Sequence, residues 1–121
     1  MIIVDANIWI DHLRVANLAL SGLIQRRRIL VHPYTIGEIA LGSFAKRNDV
    51  LDQLAMLPAA PAAEHHEVLA FIDRHALFGT GIGYVDSHLL ASARLVETGK
   101  VWTRDRRLHA VAERLGIASP S

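Results

Sequence analysis

Met1-Ile2-Ile3-Val4-Asp5-Ala6-Asn7 begins the sequence, and the reading of this stretch decides the fold. Ile2, Ile3 and Val4 are β-branched and continuously apolar, the pattern of a short strand covered on both faces within a parallel sheet. Asp5 follows at once. Ala6 and Asn7 then supply a turn and a cap for a short helix through Ile8, Trp9, Ile10 and Leu13. In open parallel sheets, sites are built where strands end and helices begin, so Asp5 stands at a position suited to chemistry.

The same alternation continues along the chain. A helix is expected over residues 16–27 and a strand over 29–31, broken by His32-Pro33. Helices follow over residues 34–44 and, capped by Asn48 or Asp49, through Val50, Leu51, Leu54 and Leu57. Residues 58–61 are too short for an interdomain linker and leave room for a small strand. Residues 64–77 read as a helix, and the glycine-rich segment 79–83 leads into another over 84–96. A strand over 100–103 and a helix over 106–115, stopped by Gly116, complete the pattern. Strands alternating with helices predict an α/β domain with a mostly parallel sheet. At 121 residues the expectation is one domain over 1–121.

Composition removes several function classes. There is no cysteine, which excludes disulfides, thiolate metal sites and thiol nucleophiles. With 13 basic and 12 acidic residues, bulk charge does not indicate a nucleic-acid partner, so any such contact must be local. The N-terminus lacks the basic region of a signal peptide. No apolar run approaches the roughly 18 residues of a membrane span. The expected location is the cytoplasm, without membrane association.

Four acids follow β-to-α junctions. Asp5 follows the first strand, and Asp105 comes shortly after Val101-Trp102-Thr103. Asp86 falls in the first turn of the helix behind the glycines, and Glu38 about one turn into the helix after the second strand. Asp5 and Asp105 also suit helix caps, and Asp86 would gain from the helix dipole. Glu38, among Gly37, Ile39 and Ala40, would be costly to bury unpaired. Two carboxylates about 6 Å apart repel by roughly 3 kcal/mol at an effective dielectric near 20. A hard divalent cation, Mg²⁺ or Mn²⁺, would neutralise such a group and support phosphoryl chemistry.

These motifs resemble a known family. Val4-Asp5-Ala6-Asn7-Ile8-Trp9-Ile10-Asp11, Ile36-Gly37-Glu38-Ile39 with Gly42, Gly83-Tyr84-Val85-Asp86-Ser87-His88-Leu89-Leu90-Ala91 and Trp102-Thr103-Arg104-Asp105-Arg106-Arg107-Leu108 look like PIN-domain ribonucleases. The resemblance is nearest to the VapC toxins of bacterial toxin–antitoxin pairs, and it spans almost the whole chain. It implies a three-layer PIN-like domain with a mostly parallel central sheet flanked by helices. It implies a Mg²⁺- or Mn²⁺-dependent endoribonuclease that hydrolyses RNA with a metal-activated water. Asp5, Glu38, Asp86 and Asp105 match the catalytic and metal-binding quartet, with Asp5 and Asp86 the most direct ligands. Asn7 and Thr103 match supporting polar positions. A small antitoxin partner and a homodimer are also implied. The alternative within the family is a PIN nuclease acting in RNA processing or on DNA without an antitoxin.

Other signals are weaker. Arg104, Arg106 and Arg107 flank Asp105 and are candidate RNA contacts, whereas Arg26-Arg27-Arg28, Lys46 and Arg47 read as helix ends. Asp11 is close enough to the first turn to support the site. His66-Glu67 begins like a zinc motif, but Ala70 replaces the second histidine. His88, two residues past Asp86 on a helix, is expected to point away from it. A receiver domain would need adjacent acids after the first strand, and a haloacid-dehalogenase phosphatase would need a second acid where Asn7 stands. Trp9, Phe44, Phe71 and Trp102 read as core or interface residues.

Overall fold

A computed structural model describes residues 1–120. Among them lie three strands and seven helices: β1 (Ile2–Val4), α1 (Ala6–Arg14), α2 (Leu18–Gln25), β2 (Ile29–Leu30), α3 (Pro33–Ala40), α4 (Arg47–Met56), α5 (His65–Arg74), α6 (Tyr84–Leu95), β3 (Lys100–Trp102) and α7 (Arg106–Arg114). The strands form a parallel sheet in the order β2-β1-β3, with Ile3 opposite Leu30 on one side and Val101 on the other. Parallel bridges extend it at both edges, Val31 to Ala59 and Val101 to Ala118. The small strand expected within residues 58–61 is thus a single bridge.

Side-chain alternation along each strand divides the interior into two cores. Ile3, Leu30 and Val101 face Leu89, Leu90, Ala93, Leu108 and Val111 from α6 and α7. Val4, Ile29, Val31 and Trp102 face Ile8, Trp9, Leu20, Ile39 and Leu54 from α1 to α4. Because successive strand residues point to opposite faces, three-residue strands are enough to anchor both layers. The result is the expected three-layer arrangement. Trp9 and Trp102 are core residues, and Phe44 and Phe71 pack partly buried against the two cores.

Helix ends differ from the sequence reading for local reasons. The second helix starts at Leu18, because the Asn17 side chain accepts from the Leu20 amide at 3.0 Å and makes a better start than Ala16. Arg27, with φ of 56°, marks the other side of its end. α3 stops at Ala40, short of Phe44, where the Arg47 guanidinium donates to the Ala40 carbonyl at 2.6 and 2.9 Å. Arg47 is therefore a helix-capping cation. α4 begins at Arg47 behind a left-handed Lys46, ahead of the Asn48 and Asp49 caps expected. α5 ends at Arg74, and a left-handed Ala76 turns the chain so that Leu77 reaches the core.

β1 is central, and the chain leaves it toward β2 on one side while β3 lies on the other. Its carboxyl end is therefore the switch point of the sheet, where opposed connections open a crevice. Asp5 is the first residue past that end.

Candidate active site

Asp5 is 7% exposed and is fixed from several directions. As the N-cap of α1 it accepts from the Ala6 amide at 2.7 Å. Its other oxygen accepts the Thr103 hydroxyl at 2.7 Å and the Asn7 amide at 3.3 Å. Thr103 Oγ1 also accepts from the Asn7 amide at 3.3 Å and from the Asp105 backbone at 3.0 Å. The Asn7 carbonyl oxygen accepts the Arg104 amide at 3.2 Å. Thr103 and Asn7 thus tie the loop after β1 to the loop after β3. The supporting roles expected of them have a physical basis in these bonds.

The three other acids sit on their own junctions. Asp86, in the first turn of α6, accepts the Gly83 amide at 2.9 Å. Glu38 lies on α3 with its surface open to solvent, so only part of the expected burial cost falls on its carboxylate. Asp105 caps α7, accepting the Arg107 and Leu108 amides at 2.9 and 3.0 Å. The cap reading and the site reading of Asp5 and Asp105 hold together, because the free electron pairs of a capping carboxylate remain available.

Electrostatics joins the four. Burial pushes the Asp5 carboxyl above the ordinary carboxylate range, against the lowering hydrogen bonds of Thr103 and Ala6, and Asp105 adds to the rise. Glu38 is raised by burial and then by Asp5 and Asp86. Asp86 is raised by burial, is opposed by the Gly83 hydrogen bond, and is raised again by Asp5 and Asp105. The ion pairs among the described residues are His66–Glu64, Arg104–Asp11 and His109–Glu113, and none involves these four acids. Their mutual repulsion is left uncompensated by protein cations.

Hard, anionic oxygen donors without a protein counter-charge fit a divalent metal such as Mg²⁺. Among the described residues no three histidine, aspartate or glutamate side chains draw close enough to form a complete cage. A Mg²⁺ ion takes one or two carboxylates directly and keeps several waters, so such a cage is not required for it. Asp5 and Asp105 follow the carboxyl ends of β1 and β3, and Glu38 and Asp86 lie on α3 and α6. The cleft of about 440 Å³ lined by Phe71, Arg74, Ala91 and Arg94 contains none of them.

The flanking arginines separate in role. Arg104 pairs with Asp11 at 3.2 Å, which makes Asp11 a holder of Arg104. The Arg107 side chain lies over Gly81, whose φ of 86° and lack of a side chain leave it room, so its cation borders the loop leading to Asp86. Arg106 is exposed at the start of α7. Gly83 was missed as a site residue, although Gly83-x-x-Asp86 has the spacing of a capping box. His88 is buried within α6.

Comparison with known proteins identifies the family and the fold. Residues 2–114 match the family model of the PIN domain, and the chain belongs to that family. Within it the chain is of the VapC type. It is 45% identical over 118 residues to ribonuclease VapC32 of two Mycobacterium tuberculosis strains, covering 98% of this chain and 95% of the relative. Its fold is also that of the crystal structure of FitAcB from Neisseria gonorrhoeae. There the TM-score is 0.61 at 21% identity, covering 93% of this chain and 94% of that one. No helix among the described residues is long and apolar enough to cross a membrane.

Proposed function

We propose that this chain, a single PIN domain, is a metal-dependent endoribonuclease and the toxin of a toxin–antitoxin pair. The observation that carries the reading is the set of uncompensated carboxylates with raised proton affinity at the sheet's switch point. The 45% identity to a protein named as a ribonuclease directs the substrate toward RNA.

Asp5 and Asp86 would hold Mg²⁺ or Mn²⁺, with Glu38 and Asp105 completing the anionic edge. Once bound, such an ion supplies Lewis acidity toward a phosphoryl oxygen and acidifies a coordinated water. Thr103 and Asn7 hold Asp5 Oδ2 while the Ala6 amide holds Oδ1, so the carboxylate is oriented before a metal binds. Glu38, open to solvent on one side and raised by burial and then by Asp5 and Asp86, is suited to accept a proton at its carboxylate and release it to solvent. Arg107 and Arg106, with Arg104 if it exchanges Asp11 for phosphate, would position the RNA backbone.

The partners we assign are RNA, a small antitoxin protein and a second copy of the chain. The test is cleavage of total RNA by purified protein with Mg²⁺, with Mn²⁺ and with EDTA, beside Asp5→Asn and Asp86→Asn. Metal-dependent cutting by the parent alone is expected. Equal cutting by Asp86→Asn would refute the assignment.

A further inference from the structure

Two tyrosines stand on the helices that carry Glu38 and Asp86 and remain unused by the chemistry above. Tyr34 lies one helical turn before Glu38 on α3, and Tyr84 lies two residues before Asp86 on α6. Both are partly exposed, at 44% and 40%. Both stand edge-on to the ring of His88, with centroids 4.6 and 4.7 Å away. His88 is 1% exposed, and neither of its ring nitrogens has a hydrogen-bond partner. His32, fully buried, packs against both Tyr34 and His88 at 5.2 and 5.8 Å.

This group is a rigid floor with two aromatic rings on it. The His32 ring is held by accepting the Tyr34 amide at 3.0 Å. The Tyr84 hydroxyl meets His65 Nδ1 at 2.6 Å, so that ring is fixed at its tip as well as along its edge. A partly exposed aromatic whose rotamer freedom is already lost is pre-organised to receive a partner at little further entropic cost.

We propose that Tyr34 and Tyr84 form a stacking platform for a nucleobase of single-stranded RNA, next to the phosphate that the acids cleave. The proposal rests on the nuclease reading and specifies its substrate. A base and its phosphate are covalently adjacent, so a strand placed for cleavage carries an aromatic ring to within a nucleotide of Glu38 and Asp86. Base faces are available in single strands and are hidden by stacking inside a duplex. Stacking on tyrosine tolerates any base, so the platform would secure the strand while other contacts choose the sequence.

The test uses anisotropy of short fluorescent RNAs on an Asp5→Asn background, which prevents cleavage during binding. Probes are oligouridine and an abasic strand of equal length. Tyr34→Leu and Tyr84→Leu should each weaken oligouridine binding by about 5- to 150-fold. Tyr34→Phe and Tyr84→Phe, which keep the ring, should stay within roughly threefold. The abasic strand should bind all variants equally. Leucine variants that bind oligouridine like the parent, or that lose both probes in proportion, would overturn the platform. A changed oligomeric state with unaltered RNA affinity would also overturn it and assign the tyrosines to a protein interface.

Photocrosslinking of the parent with 5-iodouridine-substituted RNA covers the case of an unfolded variant. Crosslinks at Tyr34 or Tyr84 support the platform, and crosslinks confined elsewhere refute it. Failure of the nuclease reading looks different. The wild-type chain would then cut RNA no faster than Asp86→Asn, whatever the tyrosines do.

Discussion

Replacing Asp86 by asparagine separates the metal-site reading from a helix-cap reading by the sign of a stability change. The side chain can still accept the Gly83 amide, so its local geometry is kept. What is lost is a charge that burial, Asp5 and Asp105 all oppose. A like-charge pair about 6–8 Å apart, at effective dielectrics of roughly 20 to 80, costs about 0.5–3 kcal/mol. Asp86 is half-buried and partly screened, so about 1 kcal/mol for each of its two neighbours is appropriate. Against this stand about 0.3–1 kcal/mol of lost attraction to the α6 dipole and a somewhat weaker hydrogen bond. The net effect in EDTA is a gain of about 1 kcal/mol, or roughly 3–6 °C in Tm for a chain of this length. Metal should reverse the order. At ten times its Kd, a bound ion stabilises the parent by about 1.4 kcal/mol, and the variant should gain much less. Calorimetry in EDTA and in MgCl₂ gives both values. A variant less stable than the parent in EDTA, or equal metal-induced shifts in both proteins, would refute the reasoning.

Thr103→Val leaves an Asp5 oxygen and the Asp105 amide without their shared partner, so stability should fall by about 1–3 kcal/mol and cleavage by 10- to 100-fold; urea unfolding and initial rates measure the two. Asp105→Ala removes a cap and should cost about 1 kcal/mol, whereas Asp105→Asn should keep most of that stability while lowering cleavage, so equal activity in wild type and Asp105→Asn would reduce Asp105 to a cap. His32 is held neutral by burial, with its pKa lowered from 6.5 to about 4, so below pH 6.5 the unfolded chain takes up a proton that the native one refuses. Stability should therefore fall between pH 6.5 and about 4 by up to about 3 kcal/mol. His32→Asn, which retains a cap acceptor for Tyr34, should show a shallower fall in urea midpoints over that window, and parallel curves would exclude His32 as the cause.

Much of the architecture was legible because strand and helix signals were local. Ile2–Val4 and Val101–Trp102 carry unbroken apolar character, and Asp5 and Asp105 stand where both caps and sites are made. Elements that end through distant contacts were not legible. α3 ends where Arg47 reaches back to Ala40, a contact no propensity encodes. The four acids could be picked out by their junctions, but their spacing could not. That spacing depends on how α3 and α6 sit against the sheet, and it leaves a looser arrangement than a closed cage. The pairing of Asp11 with Arg104 and the packing of both tyrosines on His88 likewise arise only when separate elements meet.

The Thr103–Asp5 hydrogen bond joins residues 98 positions apart in the chain. Synthesis runs from the N-terminus, so Asp5 leaves the ribosome long before Thr103 exists. Until β3 emerges and docks beside β1, the Asp5 carboxylate has no hydroxyl to hold it and no second loop beside it. The two loops that meet at Asp5 and Thr103 therefore come together only once β3 has been made, so this corner of the fold is completed late.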